Sequence, residues 1–425
     1  MRAMRAGSSG LVPTDERFEM WKRFAKVLRC PLCAESLRLY VFEERRVVLD
    51  PAYRAQAQAR GIEDNDFDAY VEAGLLSCAH CDVSFPVFMG LPVLLPYETR
   101  LHDEFRRELK PALSALGREV RFPHQEPVAG ERFVLSSFST EWLNYEFDGV
   151  IWEMDYADHE RRFLTEMGLF RPEPGAGSFL EVGCGIGLTT EMAQRNFGVE
   201  AVGVDLSLAS LRASRRFESN PFLHFVQASV FQLPFAPASF ASVYSRGVLH
   251  HTYSTAEAFA SLARFCSAGG TTYLWVYGPK SIDDNFMRRF LYVGERGVRR
   301  WLRGRADGPT AKVVLYPWAC AYLVFNRLRR AGDPTIQPYN FRRALHAARD
   351  RFTPEFAHRH DVPEVTAWFR RAGFQDIEVV DWRSMPSADH DDYRRNTGIR
   401  GRKARADRVR PAPEALSGGA AVAAN

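Results

Sequence analysis

The sequence lacks the long apolar run that a membrane-spanning helix requires. Its longest run, Val313 to Phe325, has 13 residues and is interrupted by Pro317, whereas a spanning helix needs about 20 apolar residues. The first residues, Met1 to Thr14, carry arginines but no apolar segment of signal-peptide length. We therefore expect no membrane span and a cytoplasmic location.

The sequence also has no charge excess of one sign and no even set of cysteines for a disulfide framework. The 56 Lys and Arg residues nearly balance the 52 Asp and Glu residues, so the net charge is +4 over 425 residues. A chain with this balance has no overall positive potential that would favour nucleic-acid binding, so any basic surface must be local. Four of the seven cysteines form two Cys-x-x-Cys pairs, which are typical of metal or redox sites in reducing compartments.

What the sequence does contain is a composition suited to several folded domains. Hydrophobic residues make up 46% of the chain, enough to bury a large core, and the length suggests two or three domains. We predict, in order, a disordered end (1–16), a small cysteine-containing domain (17–97), a linker (98–139), an α/β core (140–277), a helical cap insertion (278–373), the final strands of the core (374–403) and a disordered tail (404–425).

The two cysteine pairs predict a metal site in the first domain. Four thiolates from two such turns, Cys30, Cys33, Cys78 and Cys81, can surround one tetrahedral Zn²⁺. His80 is a weaker candidate ligand. Alternatively, the four cysteines could remain free thiols that bind no metal. A redox pair is disfavoured because it would not need a matched second pair. The residues from 53 to 74 predict an inserted helix that ends at a glycine.

The cysteine-containing segment resembles a small zinc-ribbon-like methyltransferase-activator domain. Such domains occur as separate methyltransferase partners or fused ahead of methyltransferase domains. The resemblance rests on Cys30-Pro31-Leu32-Cys33, Cys78, Cys81, Phe85-Pro86-Val87 and Gly90-Leu91-Pro92-Val93-Leu94-Leu95. It implies a structural metal and a docking surface rather than catalysis.

A glycine turn between a strand and a helix predicts a ligand site in the α/β core. The apolar run from 179 to 182 is followed by Gly183, Gly185 and Gly187 and then by a helical segment. Glycines let the backbone approach a ligand closely, and the helix start offers unpaired N–H groups. The third glycine of a dinucleotide loop and the Gly-Lys-Ser/Thr ending of a phosphate loop are both missing, so dinucleotides and ATP are disfavoured.

An aspartate at the end of the second strand suggests which ligand binds. Asp205 lies 20 residues after Gly185, where a carboxylate can bind both ribose hydroxyls of an adenosine. Taken alone, Asp205 could equally be a solvated turn residue. Its position after this glycine loop favours the ligand role.

The two motifs together resemble the class I S-adenosylmethionine-dependent methyltransferases. The resemblance rests on Glu181-Val182-Gly183-Cys184-Gly185-Ile186-Gly187 and Val204-Asp205-Leu206-Ser207, and it extends from about residue 141 to 403. It implies an α/β fold with a doubly wound, seven-stranded, mostly parallel, Rossmann-like sheet. It also implies S-adenosylmethionine as cofactor, bound by Glu181, Gly183, Gly185, Gly187, Asp205, Leu206, Ser229, Val230 and Ser245.

Two positions depart from the family pattern. Relatives usually have an aspartate that accepts from the adenine amino group where this chain has Ser229, and an aspartate where it has Ala241. A hydroxyl accepts a weaker hydrogen bond than a carboxylate does. We therefore expect either weaker cofactor binding or a backbone contact at residues 228–229, and loss of catalysis is a further alternative.

Methyl transfer needs alignment and, for a hydroxyl acceptor, a base. His251 and His250 follow the fourth strand, at the sheet edge where ligands bind, and His251 is the favoured base. Tyr277, which ends the fifth strand, is the third catalytic candidate. Structural roles are the alternative for all three. Four further aromatic residues could line or close the pocket or simply pack: Tyr244, Trp142, Tyr145 and Trp152.

The cap insertion suggests the kind of acceptor. Residues 281–351 contain 15 Lys and Arg against 6 Asp and Glu, a net charge of +9. Arginines bind phosphate or carboxylate bidentately, so we expect a small-molecule, glycan or lipid-linked acceptor that is anionic. The arginines beside the apolar run also permit contact with a membrane surface, although a buried helix with snorkelling arginines explains the same pattern.

Two other functions remain open. A zinc module ahead of a methyltransferase also resembles ribosomal RNA guanine methyltransferases, so an RNA base is the second candidate acceptor. Against it, no Asn-Pro-Pro-Tyr-like tetrapeptide follows the fourth strand, where Ser245-Arg246-Gly247-Val248 stands. The third possibility is a non-catalytic partner that uses the fold for binding.

Overall fold

The computed structural model describes residues 20–62, 67, 69–143, 149–151, 153–172, 175, 177–279, 297–302, 309–334 and 336–405. The predicted disordered ends, 1–16 and 404–425, lie outside these ranges except for residues 404 and 405. Tyr145 and Trp152 also lie outside them, as do parts of the predicted cap. Within the described ranges, no helix is both long and apolar enough to cross a bilayer.

The N-terminal part forms a five-stranded antiparallel sheet. Its strands are β1 (Met20–Trp21), β2 (Arg38–Arg46), β3 (Ala69–Cys78), β4 (Val83–Phe88) and β5 (Leu91–Pro92), with helix α1 (Pro51–Ala59) between β2 and β3. Strand β3 is central because it pairs with β1, β2 and β4. The two Cys-x-x-Cys turns lie at one end of this sheet.

The helix predicted for residues 53–74 ends much earlier than expected. It stops at Ala59, and Gly74 lies inside β3 rather than after a helix. A Cβ atom at Gly74 would lie 2.5 Å from the carbonyl oxygen of Tyr40 in β2. The glycine is therefore required by the close approach of two strands, which has no local sequence signature.

The segment predicted as a linker, 98–139, is largely helical. It contains α2 (Arg100–Glu108), α3 (Lys110–Ala115) and most of α4 (Glu131–Leu143). Leu101, Phe105 and Leu109 are buried in a core that they share with the N-terminal and central sheets. The prolines and glycines of this segment thus separate short helices instead of marking a loose connection.

The central sheet has seven strands and confirms the predicted fold class. After the short hairpin of β6 (Val150–Ile151) and β7 (Met154–Asp155), its strands are β8 (Ser178–Val182), β9 (Glu200–Asp205), β10 (Leu223–Gln227), β11 (Phe240–Arg246), β12 (Cys266–Val276), β13 (Phe374–Val379) and β14 (Thr397–Lys403). Their order is β10-β9-β8-β11-β12-β14-β13. Only β14 runs against its neighbours.

Alternate residues of the central strands enter two separate cores, as expected for a sheet covered on both faces. Leu180 and Val202 belong to one core, whereas their neighbours Phe179 and Ala201 belong to the other. The remaining helices are α5 (Tyr156–Met167), α6 (Leu188–Phe197), α7 (Ala209–Arg216), α8 (Thr255–Ala263), α9 (Pro309–Gly332), α10 (Phe341–Phe352), α11 (Val362–Arg371) and α12 (His390–Arg395). Helices α9, α10 and α11 lie in the described part of the predicted cap, 278–373.

The N-terminal sheet packs against strand β10 at the edge of the central sheet. The backbone N–H of Leu94 donates to the carbonyl of Gln227 at 2.8 Å, and Val93 forms a parallel bridge with the same residue. Beside this contact, the ring of Phe24 stacks on His224 at 4.2 Å between ring centroids. The N-terminal part therefore covers an otherwise open sheet edge.

Candidate functional site

A cavity of about 480 Å³ lies at the carboxyl ends of the central strands. Residues at or just after the ends of β8, β9, β10, β11 and β12 line it, and residues from α4, α9, α10 and α12 close it. In an open parallel sheet the connections diverge at the point where strand order reverses, here between β8 and β11, and leave a crevice there. The cavity occupies that position.

Gly183 and Gly185 bring the backbone of the first loop to the cavity wall. Their φ angles are +81° and +51°, in the left-handed region. A Cβ atom at Gly183 would lie 2.1 Å from the side chain of Val248. The N–H of Gly183 donates to the carbonyl of Val204 at 2.7 Å, which fixes the loop against the end of β9.

Three predicted cofactor residues support this wall from behind and do not line the cavity. The Thr190 hydroxyl donates to Glu181 Oε2 at 2.5 Å, and burial raises the pKa of Glu181 to about 8. Gly187 begins α6 with a φ angle of +81°. The Ser245 hydroxyl donates to the carbonyl of Val182 at 2.9 Å, which joins β11 to β8.

Asp205 faces the cavity and joins the first two strand-to-helix turns. Its Oδ2 accepts from the N–H of Gly185 at 2.9 Å, while its Oδ1 accepts from the N–H and the hydroxyl of Ser207 at 2.8 and 2.7 Å. Burial raises the pKa of Asp205, and these donors oppose that rise. Oδ1 thus uses both of its lone pairs, whereas Oδ2 still has acceptor capacity for a ribose hydroxyl. Leu206, also predicted, lines the cavity beside it.

The predicted adenine-side serine does not reach the cavity. Ser229 is buried, and its Oγ accepts from the N–H of Phe231 at 3.2 Å. Val230 does line the cavity, and next to it lies the carboxyl group of Glu131 from the start of α4. Burial raises the pKa of Glu131, whereas a hydrogen bond from Ser229 lowers it. A carboxylate is therefore present on this side of the cavity, but it comes from another element.

His251 and Tyr277 form part of the cavity wall, whereas His250 does not. His251 Nδ1 lies 2.7 Å from the carbonyl oxygen of Phe356. A carbonyl only accepts, so Nδ1 carries the proton and Nε2 is an acceptor, which has no partner among the described residues. Burial lowers the pKa of His251 to about 3, so the ring is neutral near pH 7. His250 stacks behind Tyr277 at 3.9 Å between ring centroids.

Asp350 extends this wall, and no sequence motif pointed to it. It lies in α10 within the cap and lines the cavity together with Tyr277. Burial raises the pKa of Asp350 to about 6, although nearby Arg299 and the Tyr277 hydroxyl lower it. His251, Tyr277 and Asp350 thus place an acceptor nitrogen, a hydroxyl and a titratable carboxyl on one wall.

A buried ionic network forms the far end of the cavity. Arg246, at the end of β11, donates from Nε to Glu166 at 3.1 Å and from Nη2 to Asp392 at 3.0 Å, and its guanidinium lies 4.6 Å from the ring centre of Trp275. Glu166 also accepts from three tyrosine hydroxyls, so Tyr244 packs in this network and does not line the cavity. The other two tyrosines are Tyr273 and Tyr393.

Three arginines of the cavity have acidic partners beside them. Arg162 lies 3.8 Å from Asp389, and Arg329 of the cap helix α9 donates to Glu153. The lining includes four arginines (Arg162, Arg246, Arg329, Arg395) and, at the same end, four carboxylates (Glu153, Asp350, Asp389, Asp392). The chamber is therefore rich in charge of both signs, unlike the net positive charge of the cap sequence.

The four cysteine thiols of the N-terminal sheet converge as predicted. Their sulfur atoms all lie within 4.8 Å of one another, with Cys30 and Cys81 at 4.0 Å and Cys33 and Cys78 at 3.5 Å. Four thiolates around one Zn²⁺ at about 2.3 Å give sulfur separations of about 3.8 Å. The donor set thus fits a structural zinc ion, and His80 is not part of it.

Comparison with known proteins identifies part of the chain. Residues 180–274 match the family model of a methyltransferase domain, which confirms the prediction for this segment. A Synechococcus protein named as uncharacterized is 31% identical over 210 residues, which cover 47% of this chain and 46% of that protein. Phosphoethanolamine N-methyltransferase 2 of Caenorhabditis elegans is 27% identical over 144 residues, which cover 33% of this chain and 32% of that protein. The chain thus spans less than half the length of these curated relatives.

One solved structure with a similar arrangement is phosphoethanolamine N-methyltransferase 2 of Haemonchus contortus. It was solved with phosphomonomethylethanolamine and S-adenosylhomocysteine. The two chains are 15% identical with a TM-score of 0.38, and the alignment covers 67% of this chain and 62% of the other.

We predict that the purified protein contains about one zinc ion per chain, because one tetrahedral site uses all four thiols. Replacing one ligand, Cys78→Ser, should abolish zinc retention and lower the thermal unfolding midpoint, since binding of a structural metal contributes to folding. Elemental analysis of protein prepared without chelator measures the zinc. The exposed Cys320 is a matched control, and equal zinc loss in Cys320→Ser and Cys78→Ser would contradict the assignment.

Proposed function

We propose that this protein is an S-adenosylmethionine-dependent methyltransferase acting on a small polar acceptor that carries an anionic group. The observation that carries the proposal is the continuity of one cavity. It joins the glycine loop and Asp205 at one end to the chamber of paired charges at the other. Such a cavity holds a donor and an acceptor in line, which is the main requirement of methyl transfer.

The residues at the first end fit the cofactor. Asp205 Oδ2 provides an acceptor for a ribose hydroxyl, Glu131 an acceptor for the adenine amino group, and Gly183 and Gly185 leave room for the backbone to approach. When bound, S-adenosylmethionine supplies an electrophilic methyl group on a sulfonium. Trp142 of α4 lies over Gly185, 3.4 Å from where its Cβ would stand, and would cover the cofactor on the side predicted for a lid.

The residues at the second end favour an acceptor that carries both an anionic and a cationic group. Arg246 is oriented by Glu166 and Asp392, so its remaining donors are held in place for an anionic group. Asp389 and Asp392 line the same chamber, and their carboxylates can bind the cationic amine of such an acceptor. Because arginines and carboxylates are equally frequent in this chamber, it is better suited to bind a small zwitterion than a polyanion such as RNA.

The wall formed by His251, Tyr277 and Asp350 orients the acceptor and removes its proton. His251, neutral and with Nε2 as an acceptor, orients an N–H or O–H group but is too weak a base to retain its proton. Asp350, with a pKa of about 6, accepts the proton through the Tyr277 hydroxyl. His250 supports the Tyr277 ring from behind and has a positioning role.

We also propose that the N-terminal sheet is a zinc-ribbon-like domain that supports the core in the manner of an activator. The N–H of Arg29, next to the first cysteine pair, donates to the carbonyl of Pro234 at 2.8 Å. Leu94 and Val93 bind β10, which leads directly to Val230 at the cavity. The metal site thus stabilises the edge of the sheet next to the adenine side.

The acceptor class can be tested with a small panel. Transfer of a labelled methyl group to phosphoethanolamine, the substrate named for one relative, is compared with transfer to ethanolamine and to total RNA. The proposal expects labelling of phosphoethanolamine or of a related phosphate- or carboxylate-bearing metabolite and little labelling of the other two. Labelling of RNA alone would replace it with the RNA alternative.

We expect Asp205→Asn to weaken binding of S-adenosylhomocysteine by about tenfold or more. The amide keeps the size of the side chain but loses the charge that strengthens hydrogen bonds to the ribose. Titration calorimetry measures the affinity. Asp103→Asn, which neutralises an exposed aspartate of α2, is the matched control. Unchanged affinity in Asp205→Asn would reject the ribose assignment.

Glu131→Gln should reduce discrimination between adenine and its 6-oxo analogue. The wild-type carboxylate accepts from the adenine amino group and disfavours the oxo group, a difference of about tenfold. Calorimetry with S-adenosylhomocysteine and S-inosylhomocysteine measures the ratio, which the variant should largely lose. Glu126, an exposed residue in the preceding loop, provides the control variant Glu126→Gln. If both variants gave the same ratio of affinities for the two ligands, the role of Glu131 would be refuted.

The methylation rate should rise with pH through about 6 and level off above about 7. Asp350 acts as a base only when ionised, and its pKa is about 6, so activity is lost as pH falls through that value. Asp350→Asn should lower kcat by about 100-fold and remove the rise. The pH profile of kcat for the acceptor found in the panel measures both effects. A profile that keeps its rise in Asp350→Asn would assign the proton transfer elsewhere.

A further inference from the structure

The outward face of the cap helix α9 is apolar along its length. Among the described residues, seven of the twelve exposed large apolar side chains lie between residues 301 and 341. Five of them lie in α9 itself, and we call these five the apolar stripe. They are Val313, Tyr316, Val324, Phe325 and Leu328. They are separated by 3, 8, 1 and 3 residues, and at 3.6 residues per turn they all project within about one half of the helix circumference.

The stripe belongs to a folded helix whose other face is buried. Ala311 and Leu315 pack in a core with Phe352 of α10. Near its C-terminal end, Asn326 donates to Glu153 at 2.5 Å, and Arg329 donates to the same carboxylate. These contacts fix the rotation of α9, so the stripe faces outward because the helix is docked on its opposite side. The sequence alone allowed the whole apolar run to be buried.

The charged residues of α9 are all of one sign. Helix α9 contains no aspartate or glutamate in its 24 residues and carries four basic residues. Three of these are exposed at the two ends of the stripe, Lys312 at one end and Arg327 and Arg330 at the other. A basic helix with an exposed apolar face is the pattern of a segment that lies in the plane of an anionic membrane surface.

Length and charge distinguish a membrane surface from other occupants of this face. From Val313 to Leu328 the helix rises about 22 Å, which is less than the roughly 30 Å of the hydrocarbon core. A second copy of the chain would place one basic helix against another, and no carboxylate of α9 would offset the repulsion. Acidic lipid head groups supply the complementary charge at both ends of the stripe.

We propose that α9 binds the surface of an anionic membrane, with the apolar stripe at the level of the upper acyl chains. The same helix contributes Arg329 to the cavity, and Tyr339, just beyond it, also lines the cavity. Membrane binding would therefore hold the acceptor end of the cavity close to the lipid head groups. The surface assignment itself does not depend on the methyltransferase reaction.

Vesicle sedimentation tests the proposal without any activity measurement. The full-length protein is mixed with phosphatidylcholine vesicles, with or without about 30% phosphatidylglycerol. We expect binding to the anionic vesicles that weakens steeply between about 0.05 and 0.5 M salt. Equal binding to both vesicle types, or binding to neither, would overturn the proposal.

Two variants locate the contact. The triple variant Val324→Asn, Phe325→Asn and Leu328→Asn should weaken partitioning by about tenfold or more, and so should Arg327→Glu with Arg330→Glu. The control replaces by asparagine three exposed apolar residues elsewhere in the chain: Val48, Leu169 and Val379. Equal loss in the control and the stripe variant would reject the assignment to α9.

Folding of the variants and self-association through α9, the competing explanation, are measured on the same samples. Circular dichroism should show unchanged helix content and an unchanged unfolding midpoint in every variant. If the triple stripe variant does not meet this condition, the single change Leu328→Asn replaces it. Light scattering should give the same mass for the wild type and the stripe variant. A wild-type dimer that the stripe variant converts to a monomer would assign the face to self-association and overturn the membrane proposal.

Discussion

The carboxylate of Asp205 ties together the two turns on which the site depends. One of its oxygens holds the N–H of Gly185, and the other holds the turn at Ser207. The glycine loop is also held by Val204, so the ends of β8 and β9 form one rigid unit. Because these donors already orient the carboxylate, its remaining acceptor position needs no rearrangement to meet a ligand hydroxyl, and a ligand that fills the crevice does not have to order it first.

The rest of the cavity follows a similar rule, in which buried charges are held by fixed partners. Glu166 is fully buried, yet it accepts from three tyrosines and from Arg246. An unpaired charge at that depth would be strongly destabilising, whereas a paired one keeps a guanidinium aimed at the chamber. Orientation of Arg246 therefore depends on residues from α5, β11, β12 and α12, and these elements must all be folded before the acceptor end exists.

Segments outside the central sheet complete the site from three directions. Helix α4 brings Glu131 to the cavity, the cap brings Asp350 and Arg329 to its charged end, and the N-terminal sheet covers the edge strand that leads to Val230. The apolar stripe of α9 lies on the outer side of the same cap. One helix thus contributes both a cavity residue and an exposed surface, which links the position of the acceptor end to whatever that surface binds.

The amino-acid sequence by itself determined the strand, glycine turn and helix around residue 183, the aspartate 20 residues after Gly185, and the two cysteine pairs. Each of these is a local pattern whose spacing alone restricts its chemistry, so fold class, cofactor loop and candidate metal ligands could be predicted. Only the tertiary structure decided that Glu131 rather than Ser229 faces the cavity, that His250 lies behind Tyr277, and that Asp350 joins the wall. It also showed that Gly74 is a strand residue. These features depend on which distant segments pack together, and packing between residues far apart in the chain leaves no periodic or motif signal in the sequence.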